Sequence, residues 1–202
     1  MPYSQFTIER IKSEFDIVFA EKVGFFATIP EAEYSQFLSE TLDYNIPLAL
    51  AINSEKSRSE LLVMPILIEL RKQFLNKISL FSGKEFNVDI KKGLNGFCDF
   101  LISKSPQQLI VETPVIALVE AKNDNLETGL GQCMAEMIAA QLFNQQKENE
   151  TQRVYGAVTT GSLWKFMQLE EKTITIDLSE YFLGNVAKII GILRSFIEQT
   201  SY

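Results

Sequence analysis

Apolar residues recur three or four positions apart in several stretches of this chain. This spacing gives a helix one buried face and therefore predicts helices. The predicted helices cover residues 6–18, 33–42, 57–75, 130–142 and 185–199. Pro65 lies inside the third of these, where it is expected either to kink the helix or to mark a shift in its start.

Short apolar runs, typical of β-strands, lie between the predicted helices. They cover residues 78–82, 86–90, 97–103, 115–122, 154–160, 163–169 and 173–178. The run 115–122 is apolar on both faces until Glu120, as expected of a strand in the middle of a sheet. Strands covered by helices on both faces imply an α/β fold, an α/β/α sandwich with a mixed central sheet.

A chain of 202 residues that is 46% hydrophobic can bury a sizeable core, so one domain spanning 1–202 is expected. Within it, residues 1–53 are predicted to form an N-terminal helical extension, 54–178 the core and 183–202 a C-terminal helix. We expect no membrane segment, because no apolar run approaches the roughly 20 residues needed to cross a bilayer. The N-terminus has no signal-peptide pattern, which predicts a soluble, cytoplasmic protein.

Histidine is absent, which changes the range of possible chemistry. Its absence excludes Ser-His-Asp and Cys-His catalysis and histidine-zinc sites, so any reaction must use carboxylates, lysines and a bound ion. The net charge of -7 opposes non-specific attachment to nucleic acid. A nucleic-acid substrate would therefore need positive charge from a partner, a metal or a local patch, for which the candidates are Arg58, Lys91, Lys92 and Lys165.

Three side chains that often carry function are expected to lie in the core here. Cys98 and Cys133 are too few and too far apart for a zinc cluster and are interpreted as small buried hydrophobes. Trp164 could stack on a base, but a tryptophan in a strand is more often buried.

One group of residues points to specific chemistry. Asp99 lies at the head of one predicted strand, and Glu120-Ala121-Lys122 closes the next. The period of two in a strand puts Glu120 and Lys122 on one face and Ala121 on the other, so two carboxylates and an ammonium can meet at one point. Close carboxylates are unfavourable without a cation between them, and oxygen ligands of this kind suit Mg²⁺ or Mn²⁺.

These residues lie in segments that resemble the PD-(D/E)xK, restriction-endonuclease-like nuclease superfamily over about residues 54–178. The segments that carry the resemblance are Ser57-Arg58-Ser59-Glu60-Leu61-Leu62, Gly96-Phe97-Cys98-Asp99-Phe100, Val119-Glu120-Ala121-Lys122, and Val158-Thr159-Thr160-Gly161 with Leu163-Trp164-Lys165-Phe166. Cys98 stands where the family often has proline. The resemblance implies a restriction-endonuclease-like sandwich.

The resemblance also implies a role for each matching residue. Asp99 and Glu120 would be metal ligands, and Glu60 would complete the acidic cluster from the preceding helix. Lys122 would orient or activate the attacking water, and burial and a nearby metal are expected to lower the pKa of its ammonium. The alternative for Glu60 is a purely structural carboxylate, favoured in a first helical turn by the helix dipole. The alternative for Glu120 and Lys122 is a solvated strand end.

Gln132 is a possible accessory residue, because its distance after Lys122 is similar to that of a glutamine motif in RecB-like exonucleases. That motif has an aromatic residue four positions later, where this chain has Glu136. The alternative for Gln132 and Glu136 is the polar face of a surface helix.

The sequence thus predicts a metal-dependent hydrolase of DNA phosphodiester bonds that uses Mg²⁺ or Mn²⁺. Two alternatives remain: a non-catalytic interaction or recognition module with the same fold, and a nuclease subunit that needs a separate specificity partner. A homodimer is expected because a twofold dimer is the simplest way to cut two opposite strands, and the apolar C-terminal helix could contribute to its interface.

Overall fold

The computed structural model describes residues 2–149, 151 and 153–199. These residues form an open, mixed, eight-stranded sheet with helices on both faces. The predicted α/β class with a mixed sheet is therefore confirmed. No helix in the described part of the chain is long and apolar enough to span a lipid bilayer.

The sheet contains two parallel pairs among otherwise antiparallel neighbours. Its strands are β1 (Val18–Lys22), β2 (Ser79–Glu85), β3 (Phe97–Ser103), β4 (Val115–Ala121), β5 (Arg153–Thr159), β6 (Leu163–Glu170), β7 (Thr173–Asp177) and β8 (Tyr181–Phe182). Their order across the sheet is β1-β7-β6-β5-β4-β3-β2, with β8 paired to the start of β6. β1 is parallel to β7, and β4 is parallel to β5.

Six α-helices cover this sheet. They are α1 (Ile8–Phe15), α2 (Gln36–Ile52), α3 (Glu55–Arg58), α4 (Met64–Gln73), α5 (Glu127–Gln146) and α6 (Val186–Glu198). Short 3₁₀ turns cover Tyr3–Gln5 and Leu183–Asn185, and a turn of π-helix, Ser59–Val63, joins α3 to α4.

The two faces of the sheet carry separate hydrophobic cores. One core includes buried side chains of α2, α4 and α6, and the other includes those of α1 and α5. In the first core the rings of Tyr155 and Phe196 stack with centroids 4.2 Å apart. Burial of apolar area on both faces is the main stabilising contribution to such a fold.

β4 is the central strand on which the candidate site is built. All its residues are buried, as the uninterrupted apolar run predicted. α5 forms the crossover to β5, as a parallel pair requires. At the start of β4, the side chain of Asn144 from α5 accepts from the Val115 N–H and donates to the Val115 carbonyl, both at 2.8 Å.

The N-terminal stretch 1–53, predicted to be a helical extension, also supplies an edge strand of the sheet. The predicted helix 6–18 ends at Phe15, because Asp16 adopts a left-handed conformation with φ 53°. The chain then pairs as β1 with β7, about 155 residues further on in the sequence. That pairing depends on a distant partner, so local spacing could not indicate it.

Two other predicted boundaries were wrong. The helix predicted to end at 42 continues to Ile52, through Pro47, and stops at Asn53 with φ 51°. The strand predicted at 86–90 is instead a loop with a single bridge between Asp89 and Leu94.

Pro65 marks the shift in helix geometry that the sequence predicted. It lies in the first turn of α4, directly after the π turn, in which Met64 N–H donates to the Ser59 carbonyl. A proline has no N–H with which to bond the Leu61 carbonyl four residues earlier. The Asn45 amide of α2 donates to that carbonyl instead, at 2.8 Å, so the proline leaves no orphaned acceptor.

The C-terminal helix α6 does not offer the interface that its apolar stripe suggested. Its stripe packs into the first core of the same chain, where Ile189, Ile190 and Leu193 are buried. That stripe is therefore not available for a contact between two copies, and the prediction of a homodimer itself stays a prediction.

Candidate functional site

Asp99 and Glu120 lie side by side on two adjacent strands. β3 and β4 are antiparallel, with Phe100 opposite Val119, so the next pair along the register brings Asp99 level with Glu120. Each contacts the other's strand: the Asp99 N–H lies 3.4 Å from Glu120 Oε1, and the Ala121 N–H donates to Asp99 Oδ2 at 2.9 Å.

Lys122 completes this group from the residue directly after β4. Its Nζ lies 3.1 Å from Glu120 Oε2, and its backbone N–H donates to the Thr159 carbonyl of β5 at 2.8 Å. The alternation of strand residues thus brings Glu120 and Lys122 together as the sequence predicted.

Gly129 permits the first turn of α5 to pack directly on Lys122. A Cβ at this position would lie 2.6 Å from Val158 Cγ1 and 3.0 Å from Lys122 Cε, too close for a side chain without a shift. The absence of a side chain at Gly129 therefore fixes how closely α5 approaches the lysine.

A polar chain leads from Lys122 into the interior. Lys122 Nζ donates to Gln132 Oε1 at 3.3 Å, and Gln132 Nε2 donates to Glu136 Oε1 at 3.2 Å. The structure thus places Gln132 at the site. Interpreting Glu136 as part of a polar surface face was wrong, because its side chain is fully buried.

Burial makes the carboxylates of this interior group reluctant to ionise. Burial and the neighbouring charge of Asp99 raise the pKa of Glu120 to about 7, although hydrogen bonding with Glu136 and the charge of Lys122 oppose this rise. Burial and the proximity of Glu120 raise the pKa of Glu136 well above its ordinary value. Glu136 Oε2 receives no donor from the described residues, which fits a carboxyl that its burial keeps protonated.

Lys122 behaves differently from the sequence-based expectation. Burial favours the neutral amine, but the negative charges of Glu120, Asp99 and Glu55 outweigh it and raise the pKa of the ammonium above its ordinary value. The expected lowering by burial was therefore wrong for the protein chain itself. Lys122 is a charged donor in this structure.

Glu60 is not brought to this group. Its side chain is 63% exposed and pairs with Lys56 at 3.6 Å. Glu55, at the start of α3, is instead the carboxylate of this helical segment whose charge acts on Lys122. The helical segment thus does contribute a carboxylate near the site. That carboxylate is Glu55, and the motif indicated Glu60 instead.

Arg58 adds positive charge beside the group. Its guanidinium donates to the Thr160 carbonyl at 3.1 Å, to Ser162 Oγ at 3.3 Å and to Asn53 Oδ1 at 2.9 Å. These contacts fix it at the turn between β5 and β6, next to the end of β5 that bonds Lys122.

The other residues predicted to lie in the core do so. Cys98 and Cys133 are free and buried, and burial raises the pKa of both thiols. Trp164 is also buried, and its indole N–H donates to the Gly161 carbonyl at 3.2 Å. None of the three is exposed for a role in binding.

The donor set of the site fits a hard divalent cation. Asp99 is partly exposed and gives solvent access to the group, while Glu120 lies behind it. Among residues 2–149, 151 and 153–199, no three Asp, Glu, Cys or His side chains form a group able to hold a metal. Mg²⁺ commonly binds through one or two carboxylates, with waters and substrate phosphates as its other ligands, so Asp99 and Glu120 meet that requirement.

Comparison with protein-family models, with curated proteins and with solved structures finds no match to this chain.

Proposed function

We propose that this chain is a metal-dependent phosphodiesterase that hydrolyses DNA, with a site of the PD-(D/E)xK type. The observation that carries the proposal is the contact of Asp99, Glu120 and Lys122 at one point. A strand end that served only solvation would expose its charges, whereas these three groups converge and Glu120 is fully buried. A buried carboxylate of this kind requires a compensating charge.

Each residue has a task in this proposal. Asp99 and Glu120 would hold Mg²⁺ or Mn²⁺, which when bound supplies charge neutralisation at a scissile phosphate and orients a water. Lys122 is positioned to donate a hydrogen bond to that water or to a phosphate oxygen. Because its neighbours keep it protonated, it acts as an electrostatic donor and not as a general base.

Gln132 supports the orientation of this donor. Its amide is fixed in one sense, because Nε2 donates to Glu136 while Oε1 accepts from Lys122. Gln132 and Glu136 are therefore positioning residues in the proposal. They act through Lys122 and do not contact the substrate.

DNA is proposed as the substrate although the chain carries a net charge of -7. The metal, Lys122 and Arg58 provide positive charge at the site, but binding along a duplex needs more phosphate contacts than these. A separate specificity partner, as a nuclease subunit would use, could supply the remainder.

A cleavage assay tests the proposal. Supercoiled plasmid and linear DNA are incubated with the protein in Mg²⁺ or Mn²⁺, alongside Lys122→Ala and the control Lys56→Ala, which removes the same charge from an exposed position. We expect metal-dependent cleavage that falls by about 100-fold or more in Lys122→Ala, as is typical when an electrostatic donor is lost. Lys56→Ala should cleave like the wild type, and equal cleavage by Lys122→Ala would remove the proposed role.

The competing function is a non-catalytic recognition module. The net charge of -7 favours it, because binding to DNA is dominated by cationic side chains that neutralise phosphates. This module needs no ion. It predicts no cleavage in any metal and no difference between wild type and Asp99→Ala in binding of Mn²⁺.

A further inference from the structure

α2 carries more apolar side chains than its buried face accounts for. Leu38, Leu42 and Ala49 face the first core and are buried. About a quarter turn round the helix, at 3.6 residues per turn, Phe37 is 66% exposed and Tyr44 is 76% exposed. The apolar stripe of α2 is therefore wider than the surface with which the described residues pack against it.

The exposed residues form a continuous seam, which we call the α2 face. It consists of Phe37, Tyr44, Leu48 and Ile52, which are exposed, and Thr41, which is half-buried among them. Their spacing of four, three, four and four residues is close to the alternation by which two helices pack side by side. Contiguous exposed apolar patches of this kind mark interaction sites.

We propose that the α2 face is a homodimer interface, in which two copies pack their α2 helices antiparallel about a twofold axis near Tyr44. Tyr44 is close to the middle of the seam, so an antiparallel partner places Phe37 against Ile52 and Thr41 against Leu48. The seam is therefore complementary to itself, as a twofold contact requires.

The available area suits a dimer. Phe37 and Tyr44 expose on the order of 150 Å² each, by the usual size of an aromatic side chain. Leu48 and Ile52, with the half-exposed Ile68 on the neighbouring α4, bring the apolar area to roughly 500 Å². With a polar rim around this apolar area, the buried surface would reach the roughly 800 Å² per subunit of a standard interface.

The distribution of charge favours the antiparallel arrangement. Glu33 and Glu40 lie exposed at the N-terminal end of α2, whereas beyond its C-terminal end Lys56 and Arg58 balance Glu55 and Glu60. Antiparallel helices bring the acidic end of one copy towards this uncharged end of the other. Parallel helices would instead bring the acidic ends together.

This proposal does not depend on the proposed function. If both hold, the dimer has a further consequence, because Ile52 is three residues from Glu55, which acts on Lys122. The interface would then lie beside the site in each copy.

Light scattering coupled to size-exclusion chromatography tests the interface. We expect a mass of twice the 22.9 kDa chain for wild type at micromolar concentration, and the mass of one chain for Tyr44→Glu. Leu109→Glu is the control, since Leu109 is an exposed apolar residue of a loop elsewhere, and it should remain dimeric. Circular dichroism should show that Tyr44→Glu is folded. A monomeric wild type, or a dimeric Tyr44→Glu, would overturn the proposal.

Disulfide cross-linking tests the orientation of the two helices. Tyr44→Cys, near the axis, should form a covalent dimer on mild oxidation, because its counterpart lies across the contact. Phe37→Cys should not, because an antiparallel pair separates the two copies of that position by roughly 20 Å along the helix. Cross-linking through Phe37→Cys would indicate a parallel contact and contradict the proposed arrangement. The native Cys98 and Cys133 are buried and do not interfere.

Discussion

The substitution Glu136→Gln tests the electrostatics beneath the site. Glu136 is a fully buried carboxyl beside Glu120, with Gln132 donating to its Oε1. Glutamine has the same shape, can accept from Gln132 and can donate to Glu120. The substitution therefore removes a titrating group while it keeps the packing.

The effect on stability follows from the raised pKa of Glu136. Its pKa lies well above the ordinary 4.5, so above pH 4.5 the folded protein retains a proton that the unfolded chain releases. The stability of the wild type is therefore highest at low pH and falls as the pH rises towards the folded pKa. One retained proton lowers the free energy of unfolding by about 1.4 kcal/mol per pH unit over the range in which the folded carboxyl stays protonated.

Urea unfolding measures this difference. Trp164 is the single tryptophan of the chain and is buried, so its fluorescence reports unfolding. We expect the stability of Glu136→Gln relative to wild type to rise with pH between pH 5 and pH 7, by up to about 1.4 kcal/mol per pH unit. The titration of Glu120 should change as well, because each of these two carboxyls influences the pKa of the other. Glu60→Gln controls for the loss of one negative charge. A difference between wild type and Glu136→Gln that stays constant with pH would refute the reasoning.

Two further predictions concern the surroundings of Lys122. Gly129→Ala forces α5 away from β5 and from the lysine, because the new Cβ would lie 2.6 Å from Val158 Cγ1 and 3.0 Å from Lys122 Cε. Cleavage should fall by about 10-fold with helical circular dichroism retained, as misplacement of a reacting group predicts, and unchanged cleavage would show that this packing does not position the lysine. Glu55→Gln should slow cleavage by removing a charge that stabilises the ammonium, whereas Glu60→Gln should not. The opposite order in initial-rate assays would restore the motif-based assignment of Glu60.

The core of the site was predictable because it depends on local geometry. The alternation of strand residues sets Glu120 and Lys122 on one side, and this holds in any strand. To predict the position of Asp99, it was also necessary to expect that its strand pairs with the next strand along the chain. The apolar run before Glu120 indicated a central strand, and β4 has that position.

The helical segment before β2 was harder to predict because the number of residues per turn changes along it. A capped turn begins at Ser54 and passes into the π turn before α4, which alters the direction in which each residue points. Glu60 consequently faces solvent, and Glu55 acts on Lys122. In the sequence, only Pro65 gave a sign of this irregularity. It indicated where the helix geometry changes, but not in which direction the side chains then point.

Glu136 was missed because its burial depends on distant segments. The outer side of α5 is covered by the N-terminal residues of the chain, and a Cβ on Gly131 would lie 2.3 Å from the Phe6 carbonyl oxygen. Local spacing in α5 shows a polar residue four positions after Gln132. It does not show that residues more than 100 positions earlier pack over that helix. The same limit explains why β1 was not predicted.

Calorimetric titration with Mn²⁺ tests the central claim most directly, since it requires no knowledge of the DNA sequence. The account predicts a binding isotherm for the wild type that is lost in Asp99→Asn, which removes one proposed ligand charge, and retained in Glu60→Gln. Wild-type protein that binds no Mn²⁺, or Asp99→Asn that binds it equally, would contradict the proposal that Asp99 and Glu120 hold a catalytic ion.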